Sequence, residues 1–496
     1  MSGMKLTLAQ AAAWIPGARL VGDGATACAR VHTDTRSLQA GDLFVALKGE
    51  RYDANEFLAD AKKAGATAAI AHGGLEAAGL PGIEVPGSRL ALGQLAAGWR
   101  SQFRLPLIAV TGSNGKTTVT QMIASILRAH KPGGTLATQG NLNNDIGVPL
   151  TLLRMDASHE VGVVELGMNH PGEIAYLAQI TKPTVALVNN AQREHQEFMA
   201  TVEAVARENG SVLPSLPADG TAVFPEGDEF TAVWMQLAGQ RTCMTFSGSD
   251  AHGASADVTR GTGNASADIT HGTGSTSADV SLAGTEWLQG HWQVGVKTPA
   301  GPIAFRLHIA GRHNVRNAMA AIACALAAGV PPEAIARGLE AFEPVKGRSR
   351  ALVVPHGGRM LTVVDDTYNA NPDSVRAAID VLAELPGPRL LVLGDMGEVG
   401  SDGPAFHKEV GEHARDRGIE QVFTLGEMAS DIASSSGGRH FGHDITALNA
   451  AVIAALPGAA SVLVKGSRFM KMERVVEAIN ATQAQQESQK ESRHAA

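Results

Sequence analysis

The residues whose types and spacing suggest chemistry most directly lie together at Val110–Thr118, which reads V-T-G-S-N-G-K-T-T. A lysine followed by threonine, just after two glycines, suits a nucleoside triphosphate. The Lys116 ammonium reaches the β- and γ-phosphates and the Thr117 hydroxyl ligates Mg²⁺. Gly112 and Gly115 let backbone N–H groups approach phosphate oxygens, and the start of a following helix adds positive potential. The strict spacing G-x-x-x-x-G-K-[ST] is not met, because Val110 occupies its first glycine position; Thr111-Gly112 suggests a tighter turn. Thr111, Gly112, Ser113, Asn114, Gly115, Lys116, Thr117 and Thr118 are therefore the candidate phosphate-binding residues. Glu165 and His195 fall at or just past apolar, strand-like runs, where they would share a rim with Lys116 and complete a nucleotide–Mg²⁺ site.

Other polar groups recur at similar places. Asn314 and Asn317, three apart at the start of an Ala-rich run, share a helix face; their amides suit an adenine edge, or Asn314 caps the helix. Asp365-Asp366-Thr367-Tyr368-Asn369-Ala370-Asn371 follows a strand-like run, where a carboxylate would hydrogen-bond ribose hydroxyls. Gly347-Arg348 precedes it at an expected hinge, and Lys465-Gly466-Ser467-Arg468 offers cations to an anionic ligand. Near the N-terminus, Arg36 and Lys48 flank a strand-like run and would either hold a phosphorylated ligand or be solvated loop charges.

These groups need elements to hold them. Leu107–Val110 is short and apolar, as a buried strand should be, and Val119, Met122, Ile123, Ile126 and Leu127 recur at helical spacing. Strands expected at Val161–Leu166 and Thr184–Val188, and helices expected at Gly147–Arg154 and from Pro171, continue the alternation. Strand–helix alternation predicts an α/β fold with a mostly parallel sheet and ligands at the carboxyl ends of its strands. Residues 1–103 form a first unit and 104–344 a second. Residues 345–480 form a third, with strands at Leu361–Val364, Leu390–Leu393, Val422–Leu425 and Val462–Val464 and helices starting near Asp373, Pro404, Ile445 and Phe469. An eleven-residue repeat at about 247–285 reads as a surface hairpin or flexible loop inserted in the second unit, and 481–496 as a disordered tail.

At 496 residues and 44% apolar, the chain is long enough for three globular units. Its 41 basic and 49 acidic residues leave a net charge of −8 without basic runs, which argues against nucleic acid as a partner. Three scattered cysteines make neither a disulfide frame nor a metal cluster. With no apolar stretch of about 18 residues and no apolar leader, neither membrane insertion nor export is expected, and the chain reads as a cytoplasmic monomer.

Taken together, the stretches T-D-T-R with L-F-V-A-L-K-G-E-R, G-N-L-N-N-D-I-G-V-P-L-T-L-L, E-L-G-M-N-H-P-G-E-I-A, D-D-T-Y-N-A-N, G-D-M-G-E-V-G and V-K-G-S-R resemble the Mur ligases. These are ATP-dependent amide-forming enzymes of bacterial peptidoglycan precursor synthesis. The resemblance runs from about Asp34 to Arg474. It implies three domains: a UDP-sugar-binding domain, a central P-loop ATPase domain and a Rossmann-like third domain. It is strongest to the branch that joins D-alanyl-D-alanine to UDP-N-acetylmuramoyl-tripeptide through an acyl phosphate. Implied roles follow residue by residue. Lys116 and its loop hold ATP, with Thr117, Glu165 and His195 on Mg²⁺. Asn314 and Asn317 approach adenine, Asp366 the ribose, and Arg348 the phosphate once the third domain closes. Arg36 and Lys48 grip the UDP-sugar and Asn141 faces the peptidyl substrate. Asn369, Asn371 and Lys465 lie on the loops that receive D-alanyl-D-alanine.

One departure stands out. Many members carry a CO₂-carbamylated lysine about a dozen residues beyond the His195 equivalent, and here Asn209 stands there. Either metal binding dispenses with the carbamate, or a carboxylate such as Glu203 or Glu208 replaces it. Alternatives to the main reading are a family ligase adding a single amino acid, folylpolyglutamate synthetase, and a nucleotide-dependent switch.

Overall fold

The computed structural model describes residues 4–49, 52–193, 199, 201–247, 278–288, 291–356 and 359–482. Its centre is a nine-stranded sheet built on the strand Leu107–Thr111, whose five residues are all buried. Val161–Glu165 pairs parallel on one side of it and Val185–Val188 parallel on the other. Consecutive strands thus leave Leu107–Thr111 in opposite directions, which opens a crevice at its carboxyl end. Register sets Glu165 beside Val110 and Val188 beside Thr111, so the ends of three strands meet where the glycine turn begins.

The helix Lys116–His130 covers this sheet. Val119, Met122, Ile123, Ile126 and Leu127 are fully buried along one stripe, each contributing about 1.5–3 kcal/mol by leaving water. The parallel order extends through Thr221–Pro225 and Thr242–Ser247 to Val280–Leu288. Two antiparallel strands, His291–Lys297 and Ile303–Leu307, then finish the edge. The stretch expected as an insertion to residue 285 is therefore partly sheet: from Val280 onward its alternating apolar residues face the core. Residues 248–277, which hold all of the repeat but its last three residues, lie outside the described residues, as does 483–496 of the expected tail. Another correction concerns Pro171, which precedes its helix; that helix spans Glu173–Thr181, entered through Gly172 with φ +89°.

Before the central sheet lies a five-stranded one, with Arg30–His32, Asp42–Val45, Ala68–Ala71 and Gly82–Glu84 parallel in that order. The helix Ser88–Arg100 joins the two sheets. Buried apolar side chains from Met4 to Ala238 form one continuous cluster across both. The Arg100 guanidinium also donates to the Thr181 carbonyl in that interface.

After the central sheet comes a six-stranded one, Arg359–Asp366, Ser461–Lys465, Arg389–Gly394, Gln421–Leu425 and Arg439–His440 in parallel order, edged by antiparallel Arg350–His356. Sequence patterning missed that edge and the helix Ala429–Ser436. The element expected near Phe469 is a short turn at Arg468–Met470, followed by helix over 473–482. Apolar clusters of this unit draw on residues from Leu352 onward, and those of the central unit stop at Phe342. Among the described residues no apolar core cluster is shared between the third unit and the rest, the kind of contact that permits domain motion.

Candidate nucleotide and acyl-transfer site

A cavity of about 910 Å³ opens where the central and third sheets face each other. Thr111 ends its strand fully buried, and its hydroxyl donates to the Leu187 and Asn209 carbonyls. The chain then turns through Gly112 (φ +129°) and Gly115 (φ +80°). A Cβ on Gly115 would lie 2.6 Å from Asn317 Oδ1 and 2.9 Å from Asn189 Nδ2, so only glycine fits this crowded left-handed position. Beyond it the helix begins at Lys116, presenting its first N–H groups to the cavity. Ser113, Asn114, Gly115, Lys116, Thr117 and Thr118 all line that space. Lys116 Nζ donates to the Ser113 carbonyl at 2.9 Å, which folds the ammonium over its own loop.

Beside the loop, Thr117 Oγ1 and Asn143 Nδ2 both donate to Glu165 Oε1, at 3.0 and 2.8 Å. Glu165 is 2% exposed, and its other oxygen, Oε2, is buried without a hydrogen-bond partner. An orphaned carboxylate oxygen next to a hydroxyl is an oxygen donor set that suits a hard cation. His195, expected to join it, lies outside the described residues, and no three-residue cluster of metal-ligating side chains occurs among the described ones.

Asn209 does not replace a metal ligand. It is buried, and its Oδ1 accepts from Gly112 N at 2.9 Å, bracing the turn from behind. Of the neighbouring carboxylates, Glu203 pairs with Arg207 at the surface, and Glu208 Oε1 accepts from Ile174 N at the start of another helix.

Asn314 is not the helix cap; Gly311 is. Asn314 Nδ2 donates back to the Ala310 carbonyl, Asn317 Nδ2 donates to Asn314 Oδ1, and Asn189 Nδ2 donates to Asn317 Oδ1. This chain of amides lines the cavity directly above Gly115.

The third unit supplies the opposite wall. Asp366 accepts from Ser349 N at 2.9 Å and from Lys465 Nζ at 2.7 Å. Burial pushes its carboxyl up, but the Lys465 ammonium outweighs that and holds it below the usual carboxylate range. Burial likewise lowers the neighbouring His313 imidazole. Lys465 is itself buried and also donates to the Asn369 carbonyl, so its charge is answered within the wall; the exposed cation of that loop is Arg468. Asn371 caps the helix Pro372–Glu384 and donates from Nδ2 to Asn114 Oδ1 across the cleft. Asn369, Arg348 and Asn141 also line the cavity.

Two arginines given no role from the sequence stand here, Arg89 in the cavity lining and Arg193 beside it. Arg193, just past the third strand end, donates to Asp373 and Glu409 of the third unit and lies over the Phe406 ring. Arg89, from the first unit, pairs with Asp145 at the near rim. Arg36 and Lys48 do not reach the cavity. They follow the carboxyl ends of the adjacent parallel strands Arg30–His32 and Asp42–Val45, exposed and paired with Asp34 and Asp53. Its hydrogen bonds from Arg36 hold the Asp34 carboxyl below the usual carboxylate range.

Residues 29–100 match the Mur ligase family catalytic domain, 110–325 the Mur ligase middle domain and 347–468 the Mur ligase glutamate ligase domain. The chain is 40% identical over 452 residues to the UDP-N-acetylmuramoyl-tripeptide–D-alanyl-D-alanine ligase of Escherichia coli (strain K12), covering 90% of this chain and 93% of that protein. The protein of that name from Bacillus subtilis (strain 168) is 34% identical over 467 residues, with 90% and 92% covered. Among solved structures, MurF from Acinetobacter baumannii superposes with a TM-score of 0.84 at 33% identity, covering 96% of this chain and 99% of that one. The MurF ligase of Thermotoga maritima, solved with ADP, shares the fold at a TM-score of 0.76 and 24% identity, with 92% and 98% covered.

Proposed function

The chain belongs to the Mur ligase family, and from that premise we propose that it joins D-alanyl-D-alanine to UDP-N-acetylmuramoyl-tripeptide at the expense of ATP. A carboxylate is a poor electrophile, so amide formation in water needs activation. The tripeptide's terminal carboxylate takes the γ-phosphoryl group, giving an acyl phosphate and ADP. The dipeptide amine then attacks the acyl carbon, and phosphate departs. The observation that carries this reading is the meeting of the Lys116 loop with Arg348 and the Asp366–Asn371 turn around one cavity.

Phosphoryl transfer asks chiefly for positioning and charge stabilisation. We assign the backbone N–H groups of Ser113–Thr118 and the Lys116 ammonium to the β- and γ-phosphates, and Arg348 to the group in transfer. Adenine is assigned to the Asn314–Asn317 side and ribose to Asp366. We assign Mg²⁺ to Thr117 Oγ1 and the orphaned Glu165 oxygen, where it would neutralise phosphate charge. Arg36 and Lys48 are assigned to the uridine diphosphate end, and Asn141 to the peptide. A wall that closes on the cavity keeps water from the acyl phosphate. ATP and UDP-linked precursors are cytoplasmic reagents, so we place the reaction there.

The test is phosphate release from ATP with UDP-N-acetylmuramoyl-tripeptide, with and without D-alanyl-D-alanine and with single amino acids in its place. Release stimulated by the dipeptide, with product of the summed mass, is expected. Stimulation by a single amino acid alone would move the assignment to another branch of the family.

A further inference from the structure

Asn209 stands where the resemblance places a lysine, and the reaction above gives it no part. It lies in the last turn of the helix Val202–Gly210 and is 1% exposed. Its Oδ1 accepts from Gly112 N at 2.9 Å, and its main-chain carbonyl accepts from the Thr111 hydroxyl at 3.1 Å. From the other side, Asn189 N donates to the Thr111 carbonyl at 3.0 Å. Both polar groups of the Thr111–Gly112 peptide are therefore bonded, and that peptide carries the chain from the buried strand into the glycine turn. Asn209 Nδ2 is buried without a partner among the described residues, so the acceptor for Gly112 is what the side-chain amide contributes.

The support behind Asn209 is stiff. Trp234 Nε1, from the helix Thr231–Ala238, donates to the Ala206 carbonyl at 3.0 Å. A Cβ on Gly210 would lie 2.6 Å from Leu237 Cδ1 and 2.9 Å from Trp234 Cδ1, so the two helices touch at the residue next to Asn209. The orientation of the Thr111–Gly112 peptide in turn sets the course of the chain toward Gly115 and Lys116. A lysine at this place would carry its polar end on a long stem and offer Gly112 no acceptor at the reach of Oδ1. A buried N–H left without an acceptor is strongly disfavoured.

We propose that Asn209 is a positioning residue: its amide fixes the Thr111–Gly112 peptide and so aims the phosphate loop, an orientation that a lysine at the same place would release. The inference rests on the function proposed above for what the loop binds. It adds a residue that acts on the loop from behind, without touching substrate.

Hydrogen–deuterium exchange at the Gly112 amide, together with steady-state kinetics, tests it. Asn209→Leu should speed that exchange about tenfold or more. It should also raise KM for ATP about tenfold or more, while KM for UDP-N-acetylmuramoyl-tripeptide stays within about twofold. Asn209→Asp keeps an oxygen at the same reach and should leave the exchange within about threefold of wild type. Asn209→Lys should match Asn209→Leu in both readouts, equally in CO₂-free and bicarbonate-supplemented buffer. Exchange as slow in Asn209→Leu as in wild type, an unchanged KM for ATP, or an Asn209→Lys variant that bicarbonate restores to wild-type activity would overturn the proposal. Should Asn209→Leu lose thermal protection by UDP-N-acetylmuramoyl-tripeptide, and so its fold, the Asn209→Asp and Asn209→Lys results decide alone. A wild-type protein that ATP does not protect against heat overturns the function reading instead, and the exchange comparison then still decides whether Asn209 holds the turn.

Discussion

Arg193 ties the central unit to the third through two carboxylates, and removing its charge should loosen that contact. It makes five hydrogen bonds across the cleft: backbone N to Asp373 Oδ2, Nε and Nη2 to Asp373 Oδ1, Nη1 to Glu409 Oε2 and Nη2 to Glu409 Oε1. The side chains of Arg193, Asp373 and Glu409 are 25%, 22% and 30% exposed, so the cluster is neither a surface pair nor a core one. Exposed pairs contribute about 0.2–1 kcal/mol and breaking a buried one costs about 3–5 kcal/mol. Arg193→Met keeps the stem against Phe406 but removes the charge, and a loss of about 2 kcal/mol lies between those limits. That corresponds to about a thirtyfold shift toward an arrangement in which the two units part. Small-angle scattering with ATP and UDP-tripeptide present should show a larger radius of gyration for the variant, together with a lower kcat. The double variant with Glu409→Gln should lose less than the sum of the single losses, because the two share a partner. A variant with unchanged scattering and unchanged kcat would refute the argument.

Three further outcomes are expected. Lys116→Ala should lower turnover by several orders of magnitude with little change in thermal stability, since the ammonium folds over a loop that the buried strand already holds; near-normal turnover would remove the ATP reading. Activity should be the same in CO₂-free and bicarbonate-supplemented buffer, because Asn209 cannot be carbamylated and is bonded to Gly112; a strict bicarbonate requirement would contradict this. The Glu409 carboxyl is held at about 2, against an ordinary 4.5, by hydrogen bonds from Arg193 and Arg376 that outweigh burial. A depressed carboxyl adds stability above its ordinary value and loses it as protons bind. Contact between the units should therefore weaken as pH falls from about 4.5 toward 2, and Arg193→Met should flatten that dependence in scattering profiles.

Much of the fold could be read from the chain because its strands are short, apolar and bounded by glycine or polar turns. Leu107–Thr111, Val161–Glu165 and Ser461–Lys465 are buried throughout, and burial leaves a continuous apolar run in the sequence. Arg350–His356 was missed because an edge strand buries little; Val353 is 53% exposed. Ala429–Ser436 was missed because its serines dilute the stripe formed by Ala429, Ile432 and Ala433. At the site, the glycine turn that leads from strand to helix at Lys116 was legible from residue spacing alone. Lys465 was read as a cation for the ligand, but its charge is matched by Asp366, a pairing 99 residues apart that no local pattern reveals. Arg193 was passed over for a similar reason, since its partners lie 180 and 216 residues away.

The hydrogen bonds that tie Gly347 and Ser349 to Asp365 and Asp366 also locate the pivot. Ser349 is held at φ +49° by that attachment, so the segment 347–349 travels as a rigid fitting of the six-stranded sheet rather than as a joint. The helix Pro332–Glu340 is likewise fixed to the central sheet, with Phe342 buried in its core. What remains to act as an axle is Glu343-Pro344-Val345-Lys346, four residues of which one is a proline. An axle so short constrains the swing to a narrow arc, and the Arg348 guanidinium sits two positions beyond it, at the small-radius end of the lever. A rotation about it that swept the far edge of the third unit widely would displace that cation little, and would open the outer wall of the cavity far more than the wall beside Arg348.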